Sequence, residues 1–359
     1  MRHWRLHACL TVTAMAKLKR ERFLAAVTQT RSLEKKLLTP EHFERMMRAS
    51  EFGQIRTILR NSGYRNVPEK SITEAHLHTS LNEFLADFFE ELMSIAPADD
   101  LDFFDLLFLS YDVHNIQAAL MRRQMGEFSF NRSLPVPRAR FSRYGAILTG
   151  KTNGPDDFYT QLLNDAKTEF EKSPRAAQEW LDKAYFKRII SVAKESEIPL
   201  FAEFAEVKAD FYNIRSMLRL RRMKGLYPES NADKTLRLYM NLTAEGGAVS
   251  AEVLAELFQA DMDDLPRKFD NSTKYGRALR GAMIYYSQAK SMVRVERDMD
   301  NYLTDIVRAR RNTAIGPEAL FGYMYARCIE LLNLRLVFAV RVQGLSEKMA
   351  QERLRNGYV

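Results

Sequence analysis

Three stretches of this chain carry the same polar signature inside an apolar helical pattern. Asp112-x-x-Asn115-Ile116 is followed by Leu120, Arg123 and Gly126. Asp210-x-x-Asn213-Ile214 is followed by Leu218, Arg221 and Gly225. Glu330-x-x-Asn333-Leu334 is followed by Phe338, Arg341 and Gly344. At i, i+3 the acid and the Asn share one helix face. An Asn is unfavourable in mid-helix, so each needs a partner. Upstream, Leu81-Asn82, Leu181-Asp182 and Met299-Asp300 each open an aromatic, apolar helix. The pattern implies three related helical units of roughly 100 residues. Two readings of the acid and Asn stay open: a hydrogen bond to a neighbouring helix or loop, or a partner contact repeated in each unit. The first carries more weight, because buried polar groups are normally satisfied internally. The Arg near each helix end complements the helix dipole.

Composition agrees with an all-α chain. Of 359 residues only 15 are Gly and 11 are Pro, too few for the turns of a sandwich or barrel. The two cysteines, Cys9 and Cys328, exclude a disulfide framework and a cysteine-based zinc site. No apolar run reaches the length of a membrane span. Residues 1–14 mimic a weak signal peptide, but with no cysteine framework behind them the better reading is an early start, with Met15 as the true one.

Helical periodicity places helices over residues 23–38, 41–47, 54–59, 81–95 and 101–125, then 157–171, 175–194 and 200–224. Further helices follow at 250–259, 262–269, 274–309 and 317–342, with another from Asp233 to a Gly246-Gly247 break. Thr39-Pro40 marks a helix start, and Ser346 caps a short helix running to Asn356. Linkers are expected at residues 131–140, with Pro135 and Pro137, and at Tyr227-Pro228-Glu229-Ser230. These give a leader at 1–14 and units at 15–135, 136–229 and 230–359.

The sequence offers no catalytic, cofactor or metal site: no phosphate-binding glycine loop, no nucleophile elbow and no paired acid and base. The net charge of +8 suits an anionic partner. Basic clusters at residues 17–22, 219–224 and 308–311 are interleaved with acids and lack a nucleic-acid motif. A basic helical-repeat protein that binds nucleic acid remains the alternative reading.

Over residues 20–356 the order and spacing of several segments resemble the C subunit of the bacterial and archaeal V-type (A-type) ATPase/ATP synthase, the relative of the d subunit of the eukaryotic vacuolar ATPase. The similar segments are Arg22-Phe23, Thr30-Arg31-Ser32-Leu33-Glu34, and the turn from Leu59 to Tyr64. Tyr111-Asp112-x-x-Asn115-Ile116-Gln117 and Ala209-Asp210-x-x-Asn213-Ile214-Arg215 resemble the family's repeated helices. Asp182-Lys183-Ala184-Tyr185-Phe186, Gly316-Pro317-Glu318, Gly322-Tyr323 and Glu330 to Arg335 complete the likeness. Glu330, where the other units carry Asp, is a departure, as is the leader.

The resemblance implies a funnel of three similar helical domains about a pseudo-threefold axis, without catalytic residues or cofactors. It implies a mouth for a rotor shaft made of the D and F subunits, and a seat on the proteolipid ring of the membrane sector. One copy per complex is expected, at the cytoplasmic face, with no specific nucleic acid. Residue roles do not follow from it. Asp112, Asn115, Arg123, Asp210, Asn213, Arg221, Glu330, Asn333 and Arg341 are candidates for structural or partner contacts. Arg122, Arg222 and Lys224 are candidates for the membrane sector.

Overall fold

The structure, a computed structural model, describes residues 19–70, 73–97, 101–124, 138–226 and 232–359. Among these residues it is all-α, with no strand. The leader, Gly126, most of the first expected linker and all of the second lie outside the described residues, as do both expected unit boundaries.

The first helices are α1 (Leu24–Glu34), α2 (Pro40–Arg48), α3 (Phe52–Asn61) and α4 (Glu74–Met93). Then come α5 (Asp105–Gln124), α6 (Arg138–Leu148), α7 (Phe158–Lys172), α8 (Pro174–Glu195) and α9 (Pro199–Leu226). The last are α10 (Ala232–Leu242), α11 (Ala251–Gln259), α12 (Leu265–Ser272), α13 (Gly276–Ala289), α14 (Val293–Ala309), α15 (Glu318–Val342) and α16 (Glu347–Gln351).

Local chemistry sets many of these limits. Thr39 precedes Pro40 at the first turn of α2 and shares a capping box with His42, whose Nδ1 accepts from the Thr39 N–H at 3.1 Å. Asp157, Ser173, Ser250 and Ser346 cap α7, α8, α11 and α16 through their side-chain oxygens. The sequence differs from the structure in several places. Helix α4 begins at Glu74 rather than at residue 81, and Leu81, Leu181 and Met299, expected to open helices, lie about two turns inside α4, α8 and α14, because the polar first turns of these helices hide the start. Residues 274–309 form two helices, because Lys290 turns left-handed at φ 55° and ends α13. Helix α6 occupies residues where no helix is expected, because Pro135 and Pro137 mask the pattern just before it. Helix α16 stops at Gln351, and the chain beyond it lies in non-helical conformation.

The three helices that carry the repeat, α5, α9 and α15, act as spines. α5 packs on α6, α7 and α8; α9 packs on α8, α10, α11 and α14; α15 packs on α1, α2, α4, α14 and α16. The spines meet at their N-terminal ends. Phe103 lies in a 3-10 turn leading into α5, Phe201 in the first turn of α9 and Phe321 in the first turn of α15. All three are 0% exposed. The Phe103 and Phe201 rings stack at 5.2 Å with 11° between their planes, and Phe201 meets Phe321 at 5.0 Å. Each Phe stands twelve residues before a repeat Asn, so the plug is built from equivalent positions.

Candidate functional site: a cavity among the repeated helices

Each repeat acid is buried and receives a tyrosine phenol. Tyr144 donates to Asp112 at 2.8 Å, Tyr275 to Asp210 at 2.5 Å and Tyr64 to Glu330 at 2.8 Å. Asp210 also accepts the N–H groups of Ala248 and Val249 at 3.0 and 2.9 Å. Glu330 accepts the N–H of Leu38, 292 residues away, and a 2.7 Å ion pair from Arg327. Arg327 is 0% exposed, and its guanidinium lies 3.9 Å from the centre of the Phe88 ring. Burial disfavours that charge, but Glu330, Tyr64 and Tyr323 more than offset it, so Arg327 holds its proton more tightly than usual.

The Asn residues work as two-pronged clamps. Asn213 donates to the Ala244 carbonyl at 3.0 Å and accepts the Ala244 N–H at 2.7 Å. Asn333 does the same to Arg355, at 3.0 and 2.9 Å. Asn115 is buried at the equivalent place on α5. In the middle copy, one loop supplies both the Asn-bound and the acid-bound backbone groups. In the copy on α15, Arg355 near one chain end and Leu38 near the other supply them. The three acids, Asn213 and Asn333 are therefore engaged inside the molecule.

The helix-end arginines differ among themselves. Arg221 donates to the carbonyls of Leu257, Phe258 and Ala260 at 2.7, 2.6 and 2.6 Å, closing the C-terminal end of α11. Burial lowers its pKa. Arg341 is half-buried, whereas Arg123 and Arg222 are exposed and Arg122 is half-buried. The side chain of Lys224 lies outside the described residues.

A cavity of about 440 Å³ opens among α5, α8, α9 and α14. Equivalent positions on two of the spines, α5 and α9, line it. Ser110 and Lys208 each stand five residues before an Asn, as does Cys328 on α15, which lies near Lys208 and Tyr111. Lys208 donates to the Leu106 carbonyl at 2.9 Å and lies over the Tyr185 and Phe204 rings. The thiol of Cys328 is pushed up to about 12 by burial, with Lys208 acting the other way. Gln117 and Arg215, each two residues after an Asn, also line the cavity, whereas Arg335, at that position on α15, is exposed and outside the lining.

Asp182 and Asp300, from the second shared feature of the repeat, also line the cavity. Burial raises the pKa of both. The Tyr212 hydroxyl, at 3.0 Å, partly opposes this for Asp182, and the Arg355 guanidinium, at 3.0 Å, partly opposes it for Asp300. The remaining contrast lies in what is left unengaged. Among the described residues Gln117, Arg215 and Arg335 form no hydrogen bond or close ion pair. The sequence singled out the acid and Asn positions, which are structural staples. It missed the plug and the cavity positions, although an Asn-anchored register of the three helices displays both.

No group of three or more His, Cys, Asp or Glu side chains could hold a metal ion among the described residues. No described helix is long and apolar enough to cross a membrane. The geometry defines an all-α helical-repeat protein with a cavity of mixed polar and apolar lining. The ATP synthase (C/AC39) subunit family matches residues 26–353, and the chain belongs to it. It is similar to the A-type ATP synthase C subunit of Thermococcus kodakarensis, at 24% identity over 90% of this chain and 88% of that one. It is also similar to the C subunit of the Methanosarcina mazei A-type ATP synthase, at 22% identity over 92% and 91% of the two chains. With the Halobacterium salinarum protein of the same name it shares 27% identity over 53% and 52%.

Proposed function

We propose that the chain is a non-catalytic rotor component of an A-type ATP synthase, a socket that joins a shaft made of the D and F subunits to the proteolipid ring. It thereby links ATP synthesis or hydrolysis to H⁺ or Na⁺ movement. The observation that carries this reading is the change along α5 and α9, from a phenylalanine plug shared with α15 to a cavity of mixed polar and apolar lining. The three equivalent phenylalanines of the plug support an arrangement of three units about one axis. A coupling socket needs stiffness, which the plug and the hydrogen-bonded staples supply. It needs no cofactor.

In this reading the open end receives the shaft and the plugged end faces the ring, at the cytoplasmic side of the membrane. The α14–α15 turn lies at the plugged end and brings Arg310 and Arg311 there, cations suited to an anionic leaflet. In the same reading Arg122, Arg222 and Lys224, near the C-terminal ends of α5 and α9, belong to the rim around the shaft rather than to the membrane-sector contact expected from the sequence. A pull-down of the tagged chain, without residues 1–14, from solubilised membranes of its source cells tests the proposal. Recovery of stalk and proteolipid subunits is the expected result. Recovery of nucleic acid, with no ATPase component, would replace the proposal with the nucleic-acid reading.

A further inference from the structure

Two equivalent carboxylates line the cavity, and only one of them has a cation. Leu181 and Met299 are buried in the core at 0% and 3% exposure, and the acid that follows each, Asp182 on α8 and Asp300 on α14, lines the cavity. A carboxylate drawn out of water is costly unless a cation or several donors offset the loss. Asp300 has its cation. The Arg355 guanidinium lies 3.0 Å from its Oδ2, carried there by a segment of chain beyond α16. Asp182 has none. Among the described residues its one hydrogen bond comes from the neutral Tyr212 hydroxyl, at 3.0 Å, and it forms no ion pair.

The cations around Asp182 are engaged elsewhere or unpaired with it. Lys208, in the same lining, donates to the Leu106 carbonyl at 2.9 Å. Arg175, on α8, is paired at 2.7 Å with Glu179, which stands one turn before Asp182. Arg215 lines the cavity from α9 but forms no ion pair with either acid. Burial raises the pKa of both acids; arginines oppose the shift for Asp300, whereas Glu179 adds to it for Asp182. The surroundings of Asp182 thus lack positive charge at a point that opens onto about 440 Å³ of space. Tyr212 occupies Oδ2 and leaves Oδ1 to accept a second group. Asp300 shows what that group is at the equivalent position, a basic side chain brought in from outside the helix.

We propose that Asp182 receives a lysine or arginine side chain from the tip of the shaft that enters the cavity, as Asp300 receives Arg355. This rests on the socket reading and adds to it the chemistry of the partner's tip and the residue that takes it. The free chain carries the cost of an uncompensated carboxylate, and docking relieves it. Asp182 therefore opposes the stability of the free chain and favours the complex, two effects of opposite sign.

The test uses the full chain and a D–F shaft complex purified from the same source cells, with binding measured at low salt and at about 0.5 M salt. Asp182→Asn keeps the shape of the side chain and an oxygen for the Tyr212 hydroxyl. It should weaken binding about tenfold or more at low salt, a loss that shrinks as salt screens the contact. Thermal unfolding of the free variant at neutral pH should show no loss of stability. Asp165→Asn, which removes a charge from α7 outside the lining, should leave binding unchanged. In an electron-microscopy map of the wild-type complex, a lysine or arginine of the shaft should stand within about 4 Å of the Asp182 carboxylate. That map decides the matter even if the variant folds poorly. Failure of the wild-type chain to bind the shaft overturns the socket reading itself. Full binding by Asp182→Asn, an equal loss in Asp165→Asn, or the absence of a basic shaft side chain beside Asp182 overturns the pairing and leaves the socket standing.

Discussion

Asn333 holds the peptide of Arg355 by both ends of its carboxamide, accepting from the N–H at 2.9 Å and donating to the carbonyl at 3.0 Å. The clamp seats the last residues of the chain against α15. Tyr358, 3% exposed, packs over Gly322, where an added Cβ would stand 2.6 Å from the phenol oxygen. Asn333→Ala removes both bonds and leaves two backbone groups short of partners, at a cost of about 2–3 kcal/mol. Urea unfolding should show this loss, and deletion of residues 355–359 should exceed it. A tail deletion without effect would show that the clamp does not contribute to stability.

Phe201 is the middle ring of the plug, touching both Phe103 and Phe321. Phe201→Ala should cost about 3–5 kcal/mol, because it opens a cavity where three helices meet. Phe201→Leu should cost less. Calorimetry or denaturant unfolding of the two variants gives the comparison, and the larger loss should accompany looser docking of α9 against α15.

Gly247 marks a close approach of the α10–α11 loop to α9. A Cβ there would lie within 3 Å of the Asp210 carboxylate, which is held by the Ala248 and Val249 amides and the Tyr275 phenol. Gly247→Ala should therefore cost about 1–3 kcal/mol through overpacking. Gly281→Ala, at a helical glycine with nothing within 4 Å of the added atom, should be neutral or slightly stabilising. The pair, compared by thermal melting, separates steric from general effects.

Asp182 gives a pH dependence with a definite sign. Burial raises its carboxyl pKa in the folded chain, with the Tyr212 hydrogen bond working against the shift and Glu179 adding to it. The folded state then binds the proton more tightly than the unfolded state. Its contribution is fully present below the unfolded value of about 3.9 and is lost as pH rises through the folded value. Asp182→Asn should gain stability relative to wild type as pH rises toward neutral, and the two should converge in acid. Unfolding curves from acid to neutral pH measure it.

Much of the fold was legible because helix periodicity and capping are local. Thr39-Pro40 and Ser346 begin helices where the sequence places them, and the Gly246-Gly247 break is the loop that Asp210 and Asn213 bind. The repeat was legible because one polar residue in an apolar helix must be explained. What it does was less so. The phenols that reach the acids come from Tyr64, Tyr144 and Tyr275, far along the chain, and the backbone groups from Leu38 and Arg355 are brought together only by the tertiary fold. The phenylalanine triad shows a different limit. Phe103, Phe201 and Phe321 keep a constant distance from the Asn residues, but an aromatic at helical spacing looks like any other core residue until the three helices are aligned. Arg221 reads in sequence as a charge at a helix end, and in space it closes the end of α11.

The most direct test of the socket is to ask what lies next to the cavity in the assembled enzyme. A photo-crosslinking amino acid placed at Gln117 of the chain, in the intact complex, reports its neighbour by mass spectrometry. The account predicts a cross-link to a shaft protein and none to the proteolipid ring. A cross-link to the proteolipid ring alone would contradict it, because the cavity would then face the membrane sector rather than the shaft.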